Sequence, residues 1–291
     1  MKKLFIDSIT TFIKNQSKRK LVRNILNNKY QKNISHNVPA NPVPSQNISL
    51  KDLYVNINNA VEQQLSAQNL HQKTFSNFEN KHTKQDIVLV GTGPSAIKYT
   101  SKNFIQNALH IGVNRAYLLP NLNLDYFFMQ DVNFLKKQRP DELQILYQSK
   151  YIKFFGLVED CQNPKNLTLL AKNSFFYYTD HYSKRYNYWG FWISRFTTDL
   201  KNQALGDFGS VIFSAIQFAL YTQPKRIYLV GCDCSDNGYF DQIGSKYQNA
   251  TSFVPFWQKL KEFASINYPN IEIISINPVG LKGLFTDTYT D

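Results

Sequence analysis

The sequence predicts an α/β protein with a doubly wound, mainly parallel sheet and a helical extension at its N-terminus. Three observations predict it. Short all-apolar runs alternate with helical stretches over the last two hundred residues, the pattern of a sheet with helices on both faces. The first such run ends in a glycine-rich turn, as a buried parallel strand does when it feeds a helix. A chain of 291 residues, 43% apolar and 15% aromatic with 22 Phe and 18 Tyr, has material for one large core and too much sticky surface to stay disordered.

Residues 1–34 read as a basic amphipathic helix. Phe5, Ile9, Phe12 and Ile13, then Leu21, Val22, Ile25 and Leu26, fall at helical spacing and make one apolar stripe. Nine basic side chains, Lys2, Lys3, Lys14, Lys18, Arg19, Lys20, Arg23, Lys29 and Lys32, face Asp7 alone, so this segment holds most of the net charge of +12. On an anionic bilayer each such side chain contributes about 1 kcal/mol. The same stripe suits a helix docked on the body, or on a second copy, equally well. Residues 35–85 form a linker and a helical segment. Ser35 to Ser49 carries three prolines and should be extended, and Leu53, Val55, Ile57, Ala60, Val61 and Leu65 give a second helical pattern.

The body, residues 86–291, opens with the run Ile87 to Val90. Further strands are expected at His110 to Val113, Tyr126 to Met129, Lys153 to Leu157, Ser174 to Tyr178, Arg226 to Val230 and Glu272 to Ile276, with helices at Ser210 to Tyr221 and Phe253 to Ile266. No apolar run approaches the ~20 residues of a bilayer span. Asp7, Ser8, Thr10 and Thr11 interrupt the N-terminal apolar stretch, unlike a secretory signal. Three cysteines, Cys161, Cys232 and Cys234, can build neither a disulfide framework nor a four-thiolate zinc site, which fits a reducing compartment. The excess basic charge lies away from the aromatic-rich region, unlike a nucleic-acid stacking platform, so no nucleic-acid partner is expected.

Gly91-Thr92-Gly93-Pro94-Ser95-Ala96 fits the G-x-G-x-x-G/A pattern, in which glycines let backbone approach a phosphate. A dinucleotide would want an acidic residue ~20 positions later, but the next strand ends in Asn114-Arg115. Arg115 would suit a 2′-phosphate instead, and a plain strand turn is the remaining alternative. A second constellation joins this loop. Gly206-Asp207-Phe208-Gly209-Ser210 opens a helix, where free backbone N–H groups and the helix dipole favour an anion. Gly231-Cys232-Asp233-Cys234-Ser235-Asp236-Asn237-Gly238 follows a strand at its carboxyl end, where open α/β sheets place ligands.

Together these stretches resemble the bacterial sialyltransferases of glycosyltransferase family 42 and the related flagellin-modification and Kdo-transferase-like proteins. The family's Gly-Asn-Gly-Pro-Ser loop is similar to Gly91, Gly93, Pro94 and Ser95, with Thr92 for Asn. Asn114 looks like the nucleotide-contacting Asn at the end of the family's second strand. Gly209-Ser210 is similar to its Ser-Gly helix start in swapped order, and Gly231, Asp233, Asn237 and Gly238 match its Gly-x-Asp-x-x-x-Asn-Gly loop at the same spacing. The resemblance spans about Asp86 to Gly280. It implies a Rossmann-like sheet of the GT-A-variant kind that binds a CMP-sugar donor, such as CMP-sialic acid, another CMP-nonulosonate or CMP-Kdo. The sugar would pass to a glycan or glycolipid acceptor at the bacterial surface. A single phosphate can leave with help from hydroxyls and backbone donors, so no metal and no further cofactor is expected. The implied donor site comprises Gly91, Thr92, Gly93, Ser95, Asn114, Arg115, Gly209, Ser210, Asp233, Ser235, Asn237 and Tyr239. The sequence departs from the family in three places: Gly206 or Asp207 stands where an Arg precedes the turn, Ser235 replaces a phosphate-binding Tyr that Tyr239 could substitute, and Ser245 to Phe256 lacks the general-base His.

For that base two residues stand out. Asp131 follows an expected strand at its carboxyl end, where a carboxylate can receive a proton or simply cap a helix. His181 lies in the aromatic stretch Phe175 to Phe196, where Tyr, Trp, Lys and Arg interleave; such surfaces suit sugars and anions, or the lid of a homo-oligomer interface. Cys232 and Cys234, two apart, would share one face if the strand ran through them. With the basic N-terminus on anionic lipid, the expected location is cytoplasmic, peripheral at the inner face of the bacterial membrane.

Overall fold

In the computed structural model the described residues are 69, 71–99, 105, 107–130, 140–157, 173–180, 195–243 and 250–290. The helix expected at 1–34, the proline-rich linker, the second helical pattern through Leu65, Asp131, Cys161, and residues 181–194 with His181 lie outside them. The sheet belongs to Leu70–Asp291, one of two compact units into which the chain divides.

Its strands in chain order are β1 (Asp86–Val90), β2 (Leu109–Val113), β3 (Tyr126–Met129), β4 (Ile152–Leu157), β5 (Ser174–Asp180), β6 (Leu205–Gly206) and β7 (Arg226–Val230). A small hairpin, β8 (Gly238–Tyr239) and β9 (Gln242–Ile243), stands apart, and β10 (Glu272–Ile276) and β11 (Thr286–Thr288) complete the sheet. The spatial order is β11-β10-β7-β1-β2-β3-β4-β5-β6, and every neighbouring pair is parallel. The longer described helices are α1 (Pro140–Gln148), α2 (Val211–Tyr221) and α3 (Val254–Asn267). Each expected strand and both expected helices are present. The sheet is an α/β fold of the doubly wound type. Among the described residues no helix is long and apolar enough to cross a membrane.

The all-apolar runs are explained by burial on both faces. In β1, Ile87 and Leu89 point into a core with α2 and α3, while Val88 and Val90 point into a second core with Ala96, Ala116, Tyr228 and Val230. A third cluster, Phe127, Met129, Phe155 and Leu146, packs α1 on the second face. The aromatic wealth sits mostly in the first core. Phe218 of α2 lies with its ring centroid 5.0–5.3 Å from those of Phe78, Tyr126, Phe128 and Phe154. Phe75 and Phe78, which precede β1, are themselves buried in this core, so the packed unit starts upstream of the first strand.

All eleven residues of α2 are buried, as a helix apolar on every side must be. Its one long polar side chain, Gln217, is satisfied by backbone: Nε2 donates to the Gly206 and Phe213 carbonyls at 2.5 and 2.7 Å, and Oε1 accepts from the Thr197 and Gly206 amides at 3.3 Å. Short β6 is thereby tied to the helix it feeds. At the amino edge, Arg226 and Asp86, paired in register, bind through two parallel N–H···O contacts of 3.1 and 2.6 Å.

Candidate functional site

The order of the strands reverses at β1: β2 lies on one side of it and β7 on the other. At such a switch point the loops leaving the two carboxyl ends part and open a crevice. Here that crevice is a cleft lined by Gly91, Thr92 and Gly93 from the β1 loop and by Asp233, Ser235 and Tyr239 from the β7 loop.

The two loops are fastened backbone to backbone. The Gly91 amide donates to Val230 O and the Gly93 amide to Gly231 O, both at 2.8 Å, and the Phe240 amide donates to Thr92 O at 2.9 Å. Contact this close leaves no room for side chains: a Cβ on Gly91 would sit 2.5 Å from the Gly231 carbonyl oxygen, and one on Gly93 2.5 Å from Asp233 Cγ. The glycines expected to admit a ligand therefore first admit each other.

Asp233 holds this junction. Its Oδ2 accepts the Ser95 amide at 2.9 Å and its Oδ1 accepts the Ser95 hydroxyl. The Gly280 amide donates to its carbonyl at 2.7 Å. Burial pushes its carboxyl above the usual carboxylate range, while the two bonds from Ser95 pull the other way. Asp233 and Ser95, both expected to touch the donor, thus spend their polar groups on each other, with Asp233 shaping the turn from the cleft wall.

The remaining expected residues divide. Ser235 lines the cleft with its hydroxyl oxygen buried and without a hydrogen-bond partner among the described residues. Tyr239, on β8, also lines the cleft. Asn114, the residue after β2, is in the left-handed region (φ 49°), which Asn tolerates better than most side chains; it does not line the cleft, which its neighbour Val113 does. Arg115 is directed elsewhere: NH1 and NH2 each lie 3.1 Å from a carboxylate oxygen of Glu142, and Nε donates to Asp241. Gly209 (φ 82°) and Ser210 form the turn into α2, where the Gly209 amide donates to Asp207 Oδ1 at 2.9 Å. Neither lines the cleft, nor does exposed Asn237.

The expectation of cysteines on one strand face is corrected. The strand stops at Val230, and Gly231 (φ 63°) and Cys234 (φ 45°) turn the chain instead. Both thiols still line the cleft, and burial pushes Cys232 well up and Cys234 up to about 12, so neither is a thiolate near neutral pH.

Sequence reasoning missed the apolar floor: Val113, Ile212, Phe253 and Trp257. The signal was available. In a βα unit each helix starts at the carboxyl rim, so the first turns of α2 and α3 must present Ile212 and Trp257 there, and a hydrophobic stripe read only as core conceals that end. Among the described lining residues Asp233 is the only acidic or basic side chain. An apolar floor, two sets of close-packed glycine backbone and neutral hydroxyls can take a flat ring and a single phosphate.

No family model matches the chain, and no curated protein matches it. Among solved structures, the monofunctional alpha-2,3-sialyltransferase Cst-I from Campylobacter jejuni is 16% identical, with a TM-score of 0.40 over 66% of this chain and 75% of that one. The Campylobacter jejuni sialyltransferase CstII, in complex with the substrate analogue CMP-3FNeuAc, is 15% identical, with a TM-score of 0.41 over 70% of this chain and 85% of that one. An alpha-2,3-sialyltransferase from the same organism in apo form is 18% identical, with a TM-score of 0.40 over 66% and 75%. All three of these solved structures are sialyltransferases of Campylobacter jejuni.

Proposed function

We propose that the protein is a glycosyltransferase that takes a CMP-sugar, carrying sialic acid, another nonulosonate or Kdo, and passes the sugar to a glycan or glycolipid of the bacterial surface. The observation that carries this reading is the cleft at the β1–β7 switch point. There the loops beginning at Gly91 and Gly231, whose motifs resemble the sialyltransferase family, meet over an apolar floor, with the buried Ser235 hydroxyl lacking a partner among the described residues. The base would stack on that floor, and the phosphate would be met by the Ser235 and Tyr239 hydroxyls and by backbone N–H groups.

In the transfer the acceptor hydroxyl attacks the anomeric carbon, the bond from that carbon to the phosphate oxygen breaks, and CMP leaves with the electron pair. A base removes the acceptor proton. Asp131 and His181 are the candidates: in sequence Asp131 comes two residues after β3 and His181 one residue after β5. The basic segment 1–34 would hold the enzyme on the inner face of the membrane, near a lipid-linked acceptor. An NADP-linked reading loses its anchor, because Arg115 is already held by two carboxylates.

The test is calorimetry with CMP followed by CMP release from CMP-sialic acid and CMP-Kdo. Saturable CMP binding and turnover of one donor are expected, with Asp131→Asn lowering turnover more than donor affinity. A flat trace with CMP ends the nucleotide reading; binding without turnover of either donor would make the chain a non-catalytic relative that assists glycan assembly. Liposomes of anionic lipid should retain the full chain and release one lacking residues 1–32.

A further inference from the structure

The feature that the cleft's own chemistry leaves unexplained is the three-way ion pair beside it. Arg115 follows Asn114 directly at the end of β2, and its guanidinium faces two carboxylates from different parts of the chain. Glu142, in the first turn of α1, is buried and takes both terminal nitrogens at 3.1 Å, the planar fork-to-fork geometry in which an arginine is most firmly oriented. That fork leaves Nε, which donates to Asp241. The Arg115 side chain is 21% exposed and that of Asp241 15%, so this contact is shielded from solvent far better than a surface pair. Burial alone would make the guanidinium easier to deprotonate, but the two carboxylates outweigh it and raise its pKa.

Asp241 occupies a special place. In the β8–β9 hairpin Gly238 pairs with Ile243 and Tyr239 with Gln242, so Phe240 and Asp241 are the two residues of the turn. A two-stranded hairpin of this length does not stand by its own hydrogen bonds. The contacts that hold it include the Phe240 ring buried in the second core, the Phe240 amide donating to Thr92 O, and Asp241 bound by Arg115. Tyr239 sits just before that turn and forms a wall of the cleft.

We propose that Arg115 is a positioning residue for the nucleotide cleft: by bridging Glu142 and Asp241 it straps the tip of the β8–β9 hairpin to the end of β2 and so holds Tyr239 across the cleft. The proposal rests on the nucleotide reading of that cleft and adds a role that acts through Tyr239. Arg115 contributes to donor affinity without touching the donor, and an exchange for Lys, which has no fork, does not replace it.

The experiment compares the wild-type full chain with Asp241→Asn, Asp241→Glu and Arg115→Gln by amide hydrogen exchange and by calorimetry with CMP. In Asp241→Asn, exchange in residues 238–243 should rise about tenfold while the β1 and β7 amides stay as protected as before, the signature of a local opening. CMP affinity should fall about five- to twentyfold, and Asp241→Glu should restore most of both. Should Arg115→Gln fail to fold because Glu142 is left buried and unpaired, Asp241→Asn, at a turn, still decides the matter. Unchanged hairpin exchange overturns the strap. A loosened hairpin with unchanged CMP affinity overturns the positioning role. If wild-type protein takes up no CMP, the cleft reading itself falls and the positioning role with it, while the exchange data still judge whether the strap exists.

Discussion

Ser95 and Asp233, 138 residues apart in sequence, are joined twice, the amide and the hydroxyl of the serine each donating to a different oxygen of the carboxylate. The pair locks the turn after β1 against the loop after β7. Asp233→Asn replaces one acceptor by a donor that faces a donor, and should lower unfolding stability by about 1–3 kcal/mol. Urea denaturation checks this, and CMP affinity should drop in parallel, because the glycine turns lose their register.

Two glycine substitutions should separate crowding from backbone freedom. Gly91→Ala drives a methyl to 2.5 Å from a backbone oxygen that cannot step aside, so a cost of about 1–3 kcal/mol is expected together with weakened CMP binding. At Gly283 (φ 76°) nothing lies within 4 Å, and alanine there meets only the left-handed strain of about 1–2 kcal/mol. Thermal melts with CMP titrations should show a stability loss in both and a binding loss only in the first.

Asn114 should respond in a characteristic order. Glycine suits its φ of 49° and removes the carboxamide, so Asn114→Gly should keep the melting temperature and lose about tenfold in CMP affinity, near 1.4 kcal/mol. Asn114→Ala should lose both. Equal CMP affinity in wild type and the glycine variant would take Asn114 out of the donor site.

Acid should unfold the chain through its described histidines. His71, His82 and His110 are buried, and burial lowers each below its ordinary value of 6.5. The unfolded chain therefore binds protons first, so the stability tied to these groups is whole above about pH 6.5 and is lost as pH falls toward their depressed folded values. Geometry agrees at His71: the Tyr178 amide donates to Nδ1 at 2.8 Å, leaving Nε2 to donate to the Leu200 and Gln203 carbonyls at 2.6 and 2.9 Å, and a second ring proton would confront an N–H. Urea midpoints between pH 7.5 and 5 should fall, and His71→Gln should flatten that slope.

Much of the sheet could be read beforehand because its strands are buried on both sides: Ile87 to Val90 and Ile227 to Val230 are runs that water cannot interrupt. Leu205–Gly206 and Thr286–Thr288 escaped notice because two or three residues carry no period. The helix at Pro140–Gln148 escaped because its stripe is weak and its buried Glu142 looks like a surface charge. At the site, spacing picked out Gly91 and Gly93 and the resemblance picked out Asp233, since a loop motif is a local property. The destination of Arg115 depends on carboxylates 27 and 126 residues away, and no local pattern announces such partners.

The brevity of the outermost strands has a consequence for how copies of this protein meet. A nine-stranded parallel sheet ordinarily presents two rows of open amides and carbonyls on which another chain could polymerise. Among the described residues one margin is two residues long and the other three, and the latter carries Asp287, whose carboxylate accepts the Gly283 amide at 2.9 Å. Fibre-like growth by strand addition has almost no template there, so self-association should proceed through side-chain surfaces.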